Sequence, residues 1–378
     1  MRQTKLQPLI EVDVLIAGAG PAGCAAAISL AQFAPSLRVC LVDGADADTP
    51  LIGETVPPLI EPLLGHLALW DRFVADRHLA SYRTVSAWGT RGLVSNEFLF
   101  QARQTGWRLD RARFDATLRE AASSRVAHHV RGEVAGLAAA GGGWQATLRD
   151  GAPITARFAI DATGRNAALS RALGLRPLAL DRLVARFVVF ADVADDGEGL
   201  MIEAVADGWW YTAAIPGGRR VVAYMSDSDL TRTLGRGGLA AWMAALERTT
   251  HVRRAVAGGR PLGPPQLQPA NSRNVPCDAS LPMICVGDAA SCFDPISGQG
   301  IAKALRSGVF ASYAVADWLA CADAAGLVRY RAFTAREFAE YRTTLGEFYA
   351  LEPRWADRPF WQRRHPQEAA EPRPRKLG

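Results

Sequence analysis

An α/β fold with a parallel sheet, an inserted antiparallel sheet and C-terminal helices is predicted by three features of this 378-residue sequence. Residues 11–27 carry a short apolar strand straight into a glycine-rich turn and an alanine-rich helix. Two further apolar runs, around Ile160 and Ile284, each stop at an aspartate close to a glycine. Between them lie stretches that alternate apolar and polar residues, the period of a half-buried strand.

The first strand holds Val12, Val14, Leu15 and Ile16, and the turn after it reads Gly18-Ala19-Gly20-Pro21-Ala22-Gly23. Gly18 permits the tight turn, Gly20 lets the backbone approach a pyrophosphate, and Gly23 allows close helix–strand packing. The phosphates then sit on the positive end of the helix. Residues 38–43 form a second strand ending in Asp43, twenty residues after Gly23, where a carboxylate can bond a ribose hydroxyl. A chance Gly/Ala-rich helix start explains the turn but not the strand, helix and strand-end acid together.

Residues 158–165 read as a strand ending in Asp161-Ala-Thr-Gly164, and 281–290 as a buried strand ending in Gly287-Asp288. The chain continues through Asp294-Pro295-Ile-Ser-Gly298-Gln299-Gly300 into a helix over 301–320. This set, in this order, resembles the FAD-dependent monooxygenase and halogenase superfamily, which includes p-hydroxybenzoate hydroxylase, geranylgeranyl reductase and tryptophan halogenases. The resemblance implies a Rossmann-type FAD-binding domain with Asp161, Gly287, Asp288, Pro295, Gly298, Gln299 and Gly300 at the cofactor. In that family the Gly-Asp carboxylate holds the ribitol chain and the Pro-x-x-Gly-x-Gly helix start lies at the pyrimidine end of the flavin. The helix N-terminus suits negative charge on a reduced flavin. The plainer reading of Asp288 is an acid capping the turn after a strand.

The loop Gly53-Glu54-Thr55-Val-Pro-Pro resembles the halogenase branch, in which it lies against the isoalloxazine and links flavin to substrate. The element Trp107-Arg-Leu-Asp-Arg111-Ala-Arg-Phe-Asp115 is similar to one whose arginine reaches the FAD phosphates or ribose. That assigns Arg111 to the cofactor, with a solvated basic helix face as the alternative. By the same resemblance Val134 presents a backbone amide to the adenine. Trp209, Trp210 and Tyr211 fall on the sheet expected to roof the flavin, with Trp209 and Tyr211 on one face and Trp210 on the other. One face is expected to line an aromatic pocket; Trp88 and Trp361 are candidates for the pocket or for the core.

Two departures bear on the chemistry. Tryptophan halogenases carry W-x-W-x-I-P, whereas here residues 210–216 read Trp-Tyr-Thr-Ala-Ala-Ile-Pro. Halogenases also use a lysine about thirty residues after the Gly-Glu loop. The chain has three lysines, Lys5, Lys303 and Lys376, and none between residues 6 and 302. Arginine stays protonated and cannot stand in. Lys303 is expected on a surface or helix-packing position, and no halogenation is expected. Oxygen transfer through a flavin C4a-hydroperoxide remains, with Asp294 and Glu54 as candidates for proton handling or, equally, as structural caps.

Over almost its whole length the chain is similar to small flavoproteins that mature quinone-cofactor enzymes by oxidising a tryptophan of the partner. That implies hydroxylation of an electron-rich ring, extending to a tryptophan side chain in a partner protein or peptide. FAD is then reduced by NAD(P)H or by a separate flavin reductase. An FAD-dependent reductase of the geranylgeranyl reductase type is the rival class.

Composition is compatible. Hydrophobic residues make up 49% of the chain, enough for a large core, and the net charge of +5, partly local to residues 351–378, comes without a basic helix or basic–aromatic ladder, so no nucleic-acid partner is expected. The absence of a long uninterrupted apolar run argues against a membrane span, and six cysteines without C-x-x-C read as reduced thiols in the cytoplasm. No Cys/His cluster suggests a metal. The expected organisation is a discontinuous FAD domain (1–75, 100–175, 270–322) and substrate-domain insertions at 76–99 and 176–269. A helical, aromatic closing segment (323–365) and a Pro- and charge-rich tail (366–378), expected to be disordered, complete it.

Overall fold

The computed structural model describes residues 9–44, 53–97, 105–193, 199–276 and 281–365. Lys5, Cys277, Lys376 and the expected disordered tail lie outside the described residues. The described residues begin with β1 (Ile10–Ala17), α1 (Pro21–Phe33) and β2 (Val39–Asp43), a parallel unit in which Val14–Ala17 pair with Val39–Val42. The strand β3 (Pro153–Asp161) flanks β1 on its other side in parallel register, Ala17 opposite Asp161. At its end β3 also pairs in parallel with β4 (Met283–Cys285). His128–Arg131 lengthens the sheet beyond β2, and an antiparallel pair, Val134–Ala140 and Gly143–Leu148, closes the opposite flank. Because β1 is covered on both faces, its apolar residues run on without strict alternation: Val14 and Ile16 enter one cluster, Val12, Leu15 and Ala17 another.

Behind the sheet α1 packs against α2 (Gly300–Cys321), and α3 (Ala325–Ala350) follows after a left-handed residue, Ala322. The α1–α2 contact is made by small residues. A Cβ on Gly308 would stand 2.3 Å from the carbonyl oxygen of Ala22 and 3.0 Å from the Cβ of Ala25. Farther along, the Ser312 hydroxyl donates to Ser29 at 2.6 Å. Residues rising in number on α1 therefore meet residues rising in number on α2. The helices run in the same direction, and both N-termini open at the same end of the sheet.

The second sheet joins the two predicted insertions. Its path runs from Arg260–Pro261 through Leu183–Ala191, Arg219–Asp227, Gly208–Ile215 and Leu200–Val205 to Arg83–Ala87 and Val94–Glu97. The pairing is antiparallel except where Leu200–Val205 meets Arg83–Ala87 in parallel. Alternation along Gly208–Ile215 divides the core in two. Trp209 and Tyr211 pack with Trp88, Tyr349, Phe360 and Trp361, while Trp210 faces Trp242 on the far side. The helix carrying Trp242, Gly238–Leu246, was not anticipated inside the insertion; its run Leu-Ala-Ala-Trp-Met-Ala-Ala-Leu covers the outer face of the sheet.

Gly308→Ala tests the helix contact. Alanine in place of a helical glycine would gain about 1 kcal/mol of propensity, but overpacking against a backbone oxygen costs about 1–3 kcal/mol. Net destabilisation is expected in urea unfolding, and a variant more stable than wild type would show that the helices can part.

Candidate functional site

The glycine turn has the shape its sequence requires. Gly18 adopts φ +108°, and a side chain there would stand 2.2 Å from the carbonyl oxygen of Ala162. Gly20 precedes α1 in extended geometry without a side-chain cap, and no atom lies within 4 Å of where its Cβ would be. That space lies in front of the positive end of α1, a cradle a side chain would fill and a pyrophosphate can enter. Ala19 and Ala22 are buried beside it, and Pro21 opens the helix. At the end of β2 the buried Asp43 carboxylate accepts from Arg131 at 2.5 Å, with His129 3.8 Å away. Val134 begins the strand just beyond, opposite Leu148.

Asp161 does not face this cleft. It is fully buried, and its carboxylate accepts from the amide and hydroxyl of Thr163 (3.1 and 2.6 Å) and from those of Ser170 (2.9 and 3.0 Å). The expectation that it touches the cofactor is corrected: with four donors already bound, it fixes the turn that Gly18 leans on.

Gly287 lies at φ +59°, and a Cβ there would be 2.8 Å from that of Ala22, so the Gly-Asp turn is pressed against the start of α1. Asp288, walled by protein, keeps 37% of its side chain exposed. Its Oδ1 accepts from the Lys303 ammonium at 3.1 Å, and its Oδ2 is 3.8 Å from Arg165. Burial opposes ionisation, but the charges of Lys303 and Arg165 outweigh it and hold the carboxyl below the usual range. Lys303 is thus no surface residue: it is buried and ion-paired. No periodicity in the sequence marks this pair, whose members are fifteen positions apart across a turn.

Beyond it, the short 3-10 turn Pro295–Ser297 ends at Gly298 (φ +62°), Gln299 caps α2, and nothing crowds the Cβ positions of Gly298 or Gly300. The Asp294 carboxylate accepts from the Ile296 amide at 3.0 Å and from the Tyr349 hydroxyl at 2.8 Å. Tyr349 in turn accepts from the Trp209 indole at 3.0 Å. Both Asp294 oxygens are turned inward, so its expected proton-handling role is corrected to that of a cap tying the loop to α3. Burial pushes this carboxyl up to about 6.

The Gly-Glu loop forms the opposite wall. Arg111 donates to the Gly53 carbonyl and to Asp115, both at 3.1 Å. Glu54 is buried, and one oxygen accepts from the Tyr211 hydroxyl at 2.5 Å. Its Oε1 and the Thr55 hydroxyl have no hydrogen-bond partner within the protein. Such orphaned polar atoms are rare in interiors unless a bound group or water completes them. Burial raises the Glu54 carboxyl above its ordinary value against the Tyr211 hydrogen bond and Arg111, and raises Tyr211 well above its own. The open cradle at Gly20, the half-exposed Asp288 and the orphaned Glu54 and Thr55 atoms fit an extended, hydroxyl-bearing anionic cofactor such as FAD.

Three substrate assignments are corrected. Trp210 packs on the far face against Tyr224 and Trp242. Trp88 and Trp361 are interior, with indole N–H groups donating to the carbonyls of Phe348 and Val205, each at 3.0 Å. Trp209 is equally buried, which leaves Tyr211 as the roof aromatic joined to the Gly-Glu loop. An open cleft of about 640 Å³ borders the loop before α2 at Ile296, Ser297 and Gln299 and runs between α2 and α3 past Phe310, Phe333 and Phe348.

The raised Asp294 carboxyl sets a pH dependence. A folded-state value near 6, above the unfolded value, means that its stabilising contribution is complete below about 4 and is lost as pH rises through about 6. Thermal melting of wild type against Asp294→Asn should therefore show wild type gaining relative stability as pH is lowered from about 7 to about 5. A constant difference would mean the carboxyl titrates normally.

A family model described as lycopene cyclase protein matches residues 13–179. LodB of Marinomonas mediterranea, described as an FAD-dependent oxidoreductase, is 30% identical over 363 residues, covering 93% of this chain and 96% of its own. Among solved structures, the myxobacterial chondrochloren halogenase CndH shares the fold, with TM-score 0.86 and 21% identity over 96% of this chain and 87% of that one. QhpG, a peptidyl tryptophan dihydroxylase essential for tryptophylquinone cofactor biogenesis, aligns with TM-score 0.73 and 25% identity over 94% of this chain and 78% of its own. The near end-to-end match to LodB carries the conclusion: the chain belongs to the LodB family of FAD-dependent oxidoreductases.

Proposed function

We propose that this protein is an FAD-dependent monooxygenase that hydroxylates an electron-rich aromatic ring, with a tryptophan side chain of a partner polypeptide as the substrate. The observation that carries the reading is the buried Glu54–Tyr211 pair on the Gly-Glu loop, one carboxyl oxygen bonded and the other without a protein partner. FAD, once reduced by NAD(P)H or by a separate flavin reductase, supplies dioxygen activation. The balance is one oxygen atom into the ring and the other into water, with two electrons and two protons consumed. Glu54, its ionisation disfavoured by burial, is placed to pass a proton through Oε1, which no protein group occupies, while Tyr211 keeps that carboxyl oriented. Gly20 and the N-terminus of α1 would hold the pyrophosphate, Asp43 a ribose hydroxyl, Asp288 the ribitol chain, and Thr55, Gly298, Gln299 and Gly300 the ring.

The identity of the available cation separates oxygen transfer from halogenation. Among the described residues the one lysine, Lys303, is engaged by Asp288 and the Ser291 carbonyl, and is not free to hold a hypohalous acid. A polypeptide substrate is supported by the similarity to QhpG and by the open cleft beside the loop before α2, which is larger than an amino acid requires.

The test is mass spectrometry of a tryptophan-bearing partner polypeptide and of small indoles after incubation with FAD-loaded enzyme, reductant and oxygen. Insertion of oxygen is expected; a product changed by two hydrogens would support a reductase instead, and a halogenated product in the presence of bromide would overturn the reading. Glu54→Gln should keep FAD and lower kcat about 100-fold or more. Undiminished turnover would remove Glu54 from the proton path.

A further inference from the structure

Lys303 lies in the first turn of α2 with 1% of its surface exposed. Its ammonium donates to Asp288 Oδ1 at 3.1 Å and to the Ser291 carbonyl, and stands 4.5 Å above the Phe293 ring. All three partners belong to residues 288–293, the turn that leads from β4 toward α2. Burying an ammonium in a protein is costly even when it is paired, so a lysine here is weak evidence for stability and better evidence for a fixed geometry. That geometry bears on Asp288. One oxygen is held by Lys303; the other points toward Arg165 without reaching hydrogen-bond distance, at 3.8 Å. Arg165 is itself anchored to the carbonyl and side-chain oxygens of Asn271, at 3.0 and 3.2 Å, and does not close the gap. Of the cations around the carboxylate, Lys303, Arg165 and Arg273, Lys303 is the one that hydrogen-bonds it, from the side of α2, and 37% of the Asp288 side chain stays exposed. Without the ammonium, Arg165 and Arg273 are the cations left near Asp288, and the carboxylate would be drawn toward them and away from its present setting.

We propose that Lys303 is a positioning residue for the cofactor: it clamps Asp288 by one oxygen so that the other is presented to a hydroxyl of the bound FAD. This rests on FAD occupying the cleft as described above. Lys303 acts through Asp288 and makes no contact with the reacting atoms. The role differs from that of a helix-packing lysine, which would support the fold and leave cofactor affinity untouched.

The experiment is a titration of wild-type, Lys303→Met, Asp288→Asn and doubly substituted apoprotein with FAD, read by flavin fluorescence quenching, with thermal melting and circular dichroism of each apoprotein alongside. Lys303→Met is expected to weaken FAD binding about tenfold or more. In the Asp288→Asn background the same substitution is expected to change affinity less than about twofold, because the residue it acts through is gone. Unchanged affinity in folded Lys303→Met, or an equal loss in both backgrounds, overturns the proposal. Should Lys303→Met alone fail to fold, Asp288→Asn against the double variant decides, since the double variant leaves neither member of the pair charged; a further loss of about tenfold between them overturns it. Wild-type apoprotein that takes up no FAD would instead defeat the cofactor assignment on which the proposal stands, an outcome separable from all of these.

Discussion

The separation between α1 and α2 governs the rest of this molecule. Gly308 lets α2 ride on the Ala22 carbonyl, Gly287 lets the Gly-Asp turn press into Ala22, and both contacts are made at the first turn of α1. Since the helices run in the same direction, their positive ends open into one cleft, and their partial charges add there instead of cancelling. Small side chains thereby do what long ones could not: they set the distance between the cradle at Gly20 and the carboxylate at Asp288 through backbone and Cβ contacts, which have little freedom to drift.

How much of this was legible in the sequence depended on the range of each signal. The strand–turn–helix of residues 10–33, the strand ends at Asp43 and Gly287, and the long helices read directly, because each is a local pattern of apolar period and glycine. The alternation at Trp209-Trp210-Tyr211 correctly separated the two faces of the strand but could not say which was which. That depends on Trp242 and Trp361, more than thirty and one hundred and fifty residues downstream. Asp161 and Asp294 look from their motifs like cofactor or proton-handling groups. Their true partners, Ser170 and Tyr349, are supplied by tertiary folding, and only these show the carboxylates turned inward. For Lys303 the sequence leaves a surface and a helix-packing position open, and burial removes the first; a lysine in a helix is usually solvated, and nothing local announces Asp288 beside it.

The closing segment is bound by polar ties as much as by apolar contact. Glu352, fully buried, accepts from the Gly89 amide at 2.7 Å and pairs with Arg354, which also reaches the Ala87 carbonyl. Arg363 and Arg364 both bond the buried Asp227, and the Arg364 guanidinium lies 3.7 Å over the Phe360 ring. Removing one partner from such a group strands a buried charge, so the end of the chain and the second sheet stand or fall together.

The two-sided roof has an evolutionary corollary. The outer layer of Trp210, Trp242 and their aliphatic neighbours anchors the strand from behind, while the inner layer bears Tyr211 and the aromatic cluster around Tyr349. Mutations that reshape the inner layer leave the outer anchorage in place, so loss of one interior contact need not unravel the sheet. A lineage could therefore vary the residues of one face of this strand by drift while the packing of the other face holds the sheet in place.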